Sequence, residues 1–570
     1  MRWKKKPLSY KIFVLAAVIL LLSGIAPRDW AKHKVINNDT AEYYSYLPAT
    51  IIYHDLHFDF ITELPEDFEG RIWVVEPEEE DFRVVKMTMG LSLLLLPFFL
   101  LAHLFALLTP FLANGYSPPY EAAVYLGNVF YAIVGLYFLR KLLLRHFTEK
   151  ITTWTFIGIA FATNFFFYAS LHEGLTHAMN FALITGFIYF TEKWHERPDW
   201  ETSTWIGLLT GIIVLVRPSN LVVVLIFLLY RVYNTSTLNL KWKLYKTNFN
   251  KLLTITILSL LVVSPQLIYW KVITGDWFYF TYGNESFFWH DPEIIKGLFS
   301  FRKGWLLYTP LMGLTIIGMA FLWKEKRDYA ILIPVFLVLN VYIIYSWWAW
   351  WYGGGFGSRP LVDYYGLFAI PLAVFLKKSF EKRLLIKRVV QGLVILFLLL
   401  NVWQSKQYKR GVLHYDGMTQ QAYFRLFFAW DIPKNYNKFI DRPDYKAAIK
   451  NIDRTESYYS GKLKPREEKL FNFTRGVEPL KKQLLEMYDH PKGGFLPILK
   501  QVIMNKQEHK EAYQLVVEAA KDKIRNIIKS DSNWYGKIKK QAKEENKPVD
   551  SLLQEHVNYV FFVDYRKKQL

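Results

Sequence analysis

Two carboxylates stand three residues apart in the stretch Asn37-Asn38-Asp39-Thr40-Ala41-Glu42-Tyr43-Tyr44-Ser45-Tyr46. On a helical turn that spacing puts Asp39 and Glu42 on one face, where a carboxylate can take a proton from an attacking hydroxyl. The same ten residues also read as a solvated loop beside an interfacial aromatic belt, because tyrosines collect at membrane surfaces. Arg217, in Val216-Arg217-Pro218-Ser219, lies between two short apolar runs, a depth at which an ionisable group needs a partner or a cavity. Arg302 and Lys303, in Phe299-Ser300-Phe301-Arg302-Lys303-Gly304-Trp305, are adjacent cations at the entry to an apolar run. They suit a lipid phosphate, or plain snorkelling to headgroups. Trp347–Tyr365, WWAWWYGGGFGSRPLVDYY, joins three consecutive glycines to Arg359 and Asp363, which can form an ion pair. It lacks the lysine and the strand-to-helix setting of a phosphate-binding P-loop, so a substrate-shaping loop is the preferred reading over a hinge. In His172-Glu173-Gly174-Leu175-Thr176-His177, Glu173 and His177 are i,i+4 neighbours if helical. That is half a metal site at most, and structural hydrogen bonding is the simpler reading.

The elements that must position these groups are membrane helices. The chain has 570 residues, 52% hydrophobic and 18% aromatic, yet a mean hydropathy of only +0.09. Apolar runs recur to about residue 403 and then stop, which divides the chain into a polytopic membrane domain, 1–403, and a polar C-terminal domain, 404–570, long enough for its own core. Absence of cysteine excludes disulfides and thiolate metal sites. The net charge of +20 would suggest nucleic acid in a soluble protein, but here it sits largely between apolar segments as topogenic charge, and no nucleic-acid partner is expected.

Arg2, Lys4, Lys5, Lys6 and Lys11 hold the N-terminus in the cytoplasm, and Leu8–Ala26, with no small-residue cleavage site, reads as a retained first span. If Leu91–Ala113 lies as a juxtamembrane or re-entrant element, further spans fall near 122–139, 151–169, 175–191, 203–216, 219–231, 251–270, 305–323, 329–346, 362–376 and 388–403, about eleven transmembrane helices in all. The inside segments then hold 25 Lys/Arg against 6 in the short outer loops. An odd count sends the tail outside, where its net +12 and helical patterning (about Pro497–Lys529 and Trp534–Tyr559) suit anionic lipid or glycan, or a merely solvated domain.

A short first span, then Asp39-x-x-Glu42-Tyr43-Tyr44, then juxtamembrane helices in the first outer loop, resembles the GT-C superfamily of membrane glycosyltransferases, which includes protein O-mannosyltransferases and aminoarabinose transferases. Ser300–Pro310, SFRKGWLLYTP, is similar to a Ser-x-x-Arg-Gly-x-x-x-x-x-Pro segment of bacterial members, and Gly353–Leu361, GGGFGSRPL, to their Gly-Gly-x-x-Gly-x-Arg-x-Leu segment. The resemblance covers about 1–403 and makes no claim on the tail. It departs from the pattern where Asn37-Asn38 replaces the usual glycine and the acidic pair is split, leaving either Asp39 or Glu42 as the base.

The resemblance implies an all-α, GT-C-like polytopic protein of the cytoplasmic membrane that transfers a sugar from a polyprenyl-phosphate donor to a glycan, lipid or protein acceptor at the outer face. The first-loop aspartate would be the general base, acting with inversion, and some members use a divalent metal. Arg302, Lys303, Arg359 and Arg217 would meet the donor phosphate. Tyr43, Tyr44, Glu173, His177, Gly354, Gly355 and Asp363 would line the substrate pocket. A transporter or flippase of the same lipid-linked sugar competes, favoured by the paired short segments around Arg217, as does a membrane scaffold whose tail does the binding.

Overall fold

The computed structural model describes residues 6–25, 34–64, 72, 74–75, 82–172, 176–434, 436–443, 445–451, 465–488, 495–504, 506 and 509–565. Glu173, Arg2, Lys4, Lys5 and Ala26 lie outside the described residues. The chain is an all-α membrane protein. Strand is confined, among the described residues, to a two-stranded antiparallel ribbon in which Val74 pairs with Val85 and Val75 with Val84. Helix is what the apolar runs require, since only helices and closed barrels satisfy their own backbone groups in hydrocarbon.

Among the described residues, six helices are long and apolar enough to cross a membrane: Gly90–Leu107, Pro118–Leu144, Phe249–Thr274, Arg327–Ser346, Arg359–Phe380 and Leu384–Lys409. That count falls short of the eleven spans read from hydropathy. Part of the difference is length, since Leu8–Ser23 and Trp200–Val216 are apolar helices too short to qualify, and part lies in helix breaks that a hydropathy window passes over. The 151–169 window divides into Glu149–Phe161 and Phe165–Ser170, 219–231 into the 3₁₀ run Pro218–Val223 and the short helix Val224–Leu229, and 305–323 into Trp305–Tyr308, Leu311–Met319 and Leu322–Glu325. Gly90–Leu107, expected to lie juxtamembrane, is instead one continuous helix of 18 residues and qualifies as a span. The odd-numbered count that sends the tail outside therefore no longer follows.

The chain forms two compact units, Met1–Asp416 with Pro443–Arg454, and Gly417–Arg442 with Thr455–Leu570. The second unit has a core of its own. Along Lys510–Ser530, Ala512, Val516, Ala520, Ile524 and Ile528 are buried at four-residue spacing, a single apolar stripe facing that core. Asp531 caps the next helix, Ser532–Glu544, by accepting from the N–H groups of Asn533 and Trp534 at 3.0 Å.

In the first unit the loop after the first helix forms two six-residue helices, Asp39–Tyr44 and Tyr46–Ile51, seated against Gly90–Leu107 and the start of Pro118–Leu144. The tyrosines that suggest an interfacial belt are buried here. Tyr44 donates to Gly115 O at 2.6 Å and Tyr46 to Met87 O at 2.8 Å, while Ser92 Oγ donates to Tyr43 O at 2.6 Å. Packing therefore overrides the surface preference that composition suggests, because each ring finds apolar cover and each of these two hydroxyls a carbonyl.

One close approach fixes a functional position. Gly90 opens its helix so near the end of Trp200–Val216 that a Cβ there would lie 2.3 Å from Val216 N, and Arg217 follows directly. Gly90→Ala should cost about 1–3 kcal/mol through overpacking and push Arg217 off its place. Thermal unfolding in detergent measures the first effect; an unchanged midpoint would show that the two backbones part without penalty.

Candidate active site

The path to Asp39 is set by Glu121, in the first turn of Pro118–Leu144. Its buried Oε2 accepts from the backbone N–H groups of Val35 at 2.7 Å and Ile36 at 2.9 Å. The chain then turns at Asn38, whose φ of 48° with ψ of −136° is a backbone conformation that favours glycine.

Asp39 pairs across the fold with Arg359: Nη2 donates to Oδ2 at 2.9 Å, with the two side chains 13% and 26% exposed. Burial would raise the Asp39 carboxyl, but the neighbouring guanidinium, helped by Arg217 and Lys86, outweighs it and holds the group below the usual carboxylate range. Arg359 Nε is buried with no hydrogen-bond partner among the described residues.

Asp363, the expected partner of Arg359, faces elsewhere. Arg359–Tyr364 is a 3₁₀ turn, and at three residues per turn positions four apart do not share a face. Asp363 is fully buried, with Oδ1 2.7 Å from His177 Nδ1 and Oδ2 accepting from Asn180 at 2.9 Å and Asn220 at 3.1 Å. Arg217 stands 3.9 Å from the same Oδ2, its guanidinium 5.8 Å from the centre of the Tyr352 ring. Tyr364 completes the network by donating to Asn220 Oδ1 at 2.7 Å. Beside Arg217 opens a recess lined by Tyr352, Tyr364, Asn340, Ile344 and Phe287.

The glycine loop wraps the stem of Arg359. Gly353 and Gly357 take φ of 60° and 63°, and a Cβ on Gly355 would lie 2.8 Å from Tyr168 Oη and 3.5 Å from Arg359 Cδ. Phe356 N donates to Tyr168 Oη at 2.8 Å, and Asn164 Nδ2 donates to Phe356 O at 3.0 Å. A Cβ on Gly354 would lie 3.5 Å from the Tyr415 ring. Lys303 and Arg302 serve this scaffold. The buried Lys303 ammonium donates to Gly355 O and Tyr415 O, and burial pushes it down to about 7. Arg302 Nη1 donates to Asp416 O at 2.8 Å and its guanidinium lies 5.7 Å from the Trp351 ring centre. Of the four cations expected at the donor phosphate, Arg302 and Lys303 are thus engaged with backbone carbonyls of this scaffold, whereas Arg359 pairs with Asp39 and Arg217 stands near Asp39 and Asp363.

Glu42 is 1% exposed, and neither carboxyl oxygen has a hydrogen-bond partner among the described residues. Burial, and next the charge of Asp39, push it up to about 8. The two carboxyls are therefore split, with Asp39 charged and Glu42 neutral at pH 7, the separation by which paired acids divide their roles. Folding makes Glu42 hold a proton that the unfolded chain releases above an ordinary value of 4.5, so stability is lost as pH rises from about 4.5 to about 8. Glu42→Gln has no such proton. Its stability relative to wild type should climb by about 1.4 kcal/mol per pH unit across that window and level off above it. Parallel unfolding midpoints at all pH values would show that Glu42 is not buried as an acid.

Sequence reading missed Asn180, Asn220 and Tyr168. Two of them carried a signal: Asn180 lies three residues after His177 and Asn220 three after Arg217, each one turn from a polar group already conspicuous in an apolar setting. For a divalent metal, no group of three or more His, Asp or Glu ligands exists among the described residues, and Asp39 is already engaged by Arg359. The described residues do not fit such a centre. No protein-family model matches the chain, and no curated protein matches it.

Proposed function

We propose that the chain is a GT-C-like membrane glycosyltransferase that moves a sugar from a polyprenyl-phosphate donor to an acceptor hydroxyl or similar nucleophile at the outer face of the cytoplasmic membrane. The observation that carries this reading is the meeting of Asp39 with Arg359 and Arg217, three groups far apart in sequence, with Arg217 also lining a small recess. A sugar transfer from phosphate needs this combination. The acceptor oxygen forms a bond to the anomeric carbon from the side opposite the phosphate while its proton passes to Asp39. The bond from that carbon to the phosphate oxygen breaks, and the electron pair leaves with polyprenyl phosphate, where the two guanidinium groups meet the charge. One displacement inverts the anomeric centre. Asp363 and the glycine loop hold the two arginines; no step is assigned to a metal.

The break in the chain at Arg217, between Trp200–Val216 and Pro218–Val223, is the feature that would equally suit a transport site. The test is made in detergent, where transport has no meaning. Purified protein is given radiolabelled polyprenyl-phosphate sugars with a membrane extract as acceptor. Labelled acceptor with release of polyprenyl phosphate supports the enzyme; its absence across a panel of sugars overturns it.

A further inference from the structure

We propose that Asp39 is the resident occupant of the anion site formed by Arg359 and Arg217, and that the donor's phosphate displaces it from Arg359, so that the carboxylate is released to act only after the donor is seated. This rests on the function proposed above.

The geometry of the arginine is the starting point. Arg359 spends one N–H, from Nη2, on Asp39, and its buried Nε has no partner among the described residues. A guanidinium presents its donors in a planar fork that phosphate oxygens fill two at a time, so a single contact to one carboxylate oxygen leaves the fork under-used. Buried donors left unpaired carry a desolvation cost that an incoming anion with several acceptor oxygens would remove. Arg217 is likewise held loosely, 3.9 Å from Asp363 and 19% exposed. Asp363 does not compete for these cations to the same degree, because His177, Asn180 and Asn220 already fill its oxygens. Of the other groups near Asp39, Lys86 is itself paired with Glu285, and Glu42 is neutral at pH 7. Among the described residues Asp39 is thus the one carboxylate seated on Arg359, at a place where the reaction needs both a free base and an occupied cation.

The consequence is an order of events. With the site empty, Asp39 is held by its ion pair and is a poor proton acceptor. When phosphate takes the fork of Arg359, the carboxylate loses its partner and gains an anionic neighbour, both of which favour its taking a proton. Donor must therefore bind before the acceptor can be activated.

The test is a double-mutant cycle read as affinity for a polyprenyl monophosphate, on full-length protein in detergent with folding checked by thermal unfolding. Asp39→Asn replaces the charged competitor with a weaker, neutral one, so phosphate should bind more tightly by between about twofold and a hundredfold, the range of coupling between touching groups. In an Arg359→Gln background, or Arg359→Lys should the former not fold, the gain from Asp39→Asn should largely vanish. An equal gain in both backgrounds would mean through-space repulsion and would overturn the displacement, as would no gain at all; either leaves the glycosyltransferase reading intact. The coupling together with no sugar transfer would sink that reading and keep the exchange on Arg359. No binding of polyprenyl monophosphate to any form overturns both.

Discussion

Asp39→Asn should lower turnover by about 10²–10⁴-fold, the usual contribution of a positioned general base, without weakening the hold on polyprenyl phosphate. Asparagine keeps the size of the side chain and can still meet Arg359 through its carbonyl oxygen, so the short helix Asp39–Tyr44 should stay where Glu121 and the turn at Asn38 put it. What is lost is an oxygen able to take the acceptor's proton. The measurement is transfer from a radiolabelled polyprenyl-phosphate sugar, with thermal unfolding followed alongside to exclude misfolding. Glu42→Gln sorts the two carboxyls. Glu42 is neutral and buried at pH 7, so its amide should cost less than that of Asp39. A larger loss from Glu42→Gln would reverse the assignment, and wild-type turnover in both variants would reduce the stretch to a structural loop.

The second large effect is expected at Asp363, and on stability. Three side chains from two other helical segments point donors at this one carboxylate: His177 and Asn180 from His177–Glu196, and Asn220 from Pro218–Val223. Arg217 adds a positive charge at 3.9 Å. Removing one partner of a buried ionic network strands the rest, and Asp363→Ala should cost about 3–5 kcal/mol. Asp363→Asn should lose less, since it keeps one acceptor oxygen. Both are read by thermal unfolding in detergent. An Asp363→Ala protein that unfolds like wild type would show that Arg217 and the two asparagines do not depend on it.

The charged groups of this site are conspicuous in the sequence because an ionisable side chain within or beside an apolar run needs a partner. Asp39, Arg217, Arg359 and Asp363 stand out for that reason. Their pairing does not. Arg359 and Asp363 are near in sequence and so invite each other, yet the 3₁₀ turn points them apart, and each finds its partner at long range, Arg359 at Asp39 and Asp363 at Arg217. Adjacency misleads again at Arg302-Lys303, where the tally of charges says two free cations and the fold gives Lys303 to the carbonyls of Gly355 and Tyr415 and part of Arg302 to Asp416 O. The helical, membrane-inserted character of 1–403 follows from hydropathy, but the number of spans does not. A window average cannot register a break such as Thr309-Pro310 between Trp305–Tyr308 and Leu311–Met319.

Glu121 grips the approach to Asp39 by main-chain N–H groups, at Val35 and Ile36, and main-chain N–H is common to every residue but proline. The route of that segment is therefore encoded some 85 residues downstream of it rather than within it. Side chains at 35 and 36 are free to drift during evolution as long as they stay apolar and are not proline, while a change at Glu121 would let Asp39 wander although every residue of the acidic stretch remained intact.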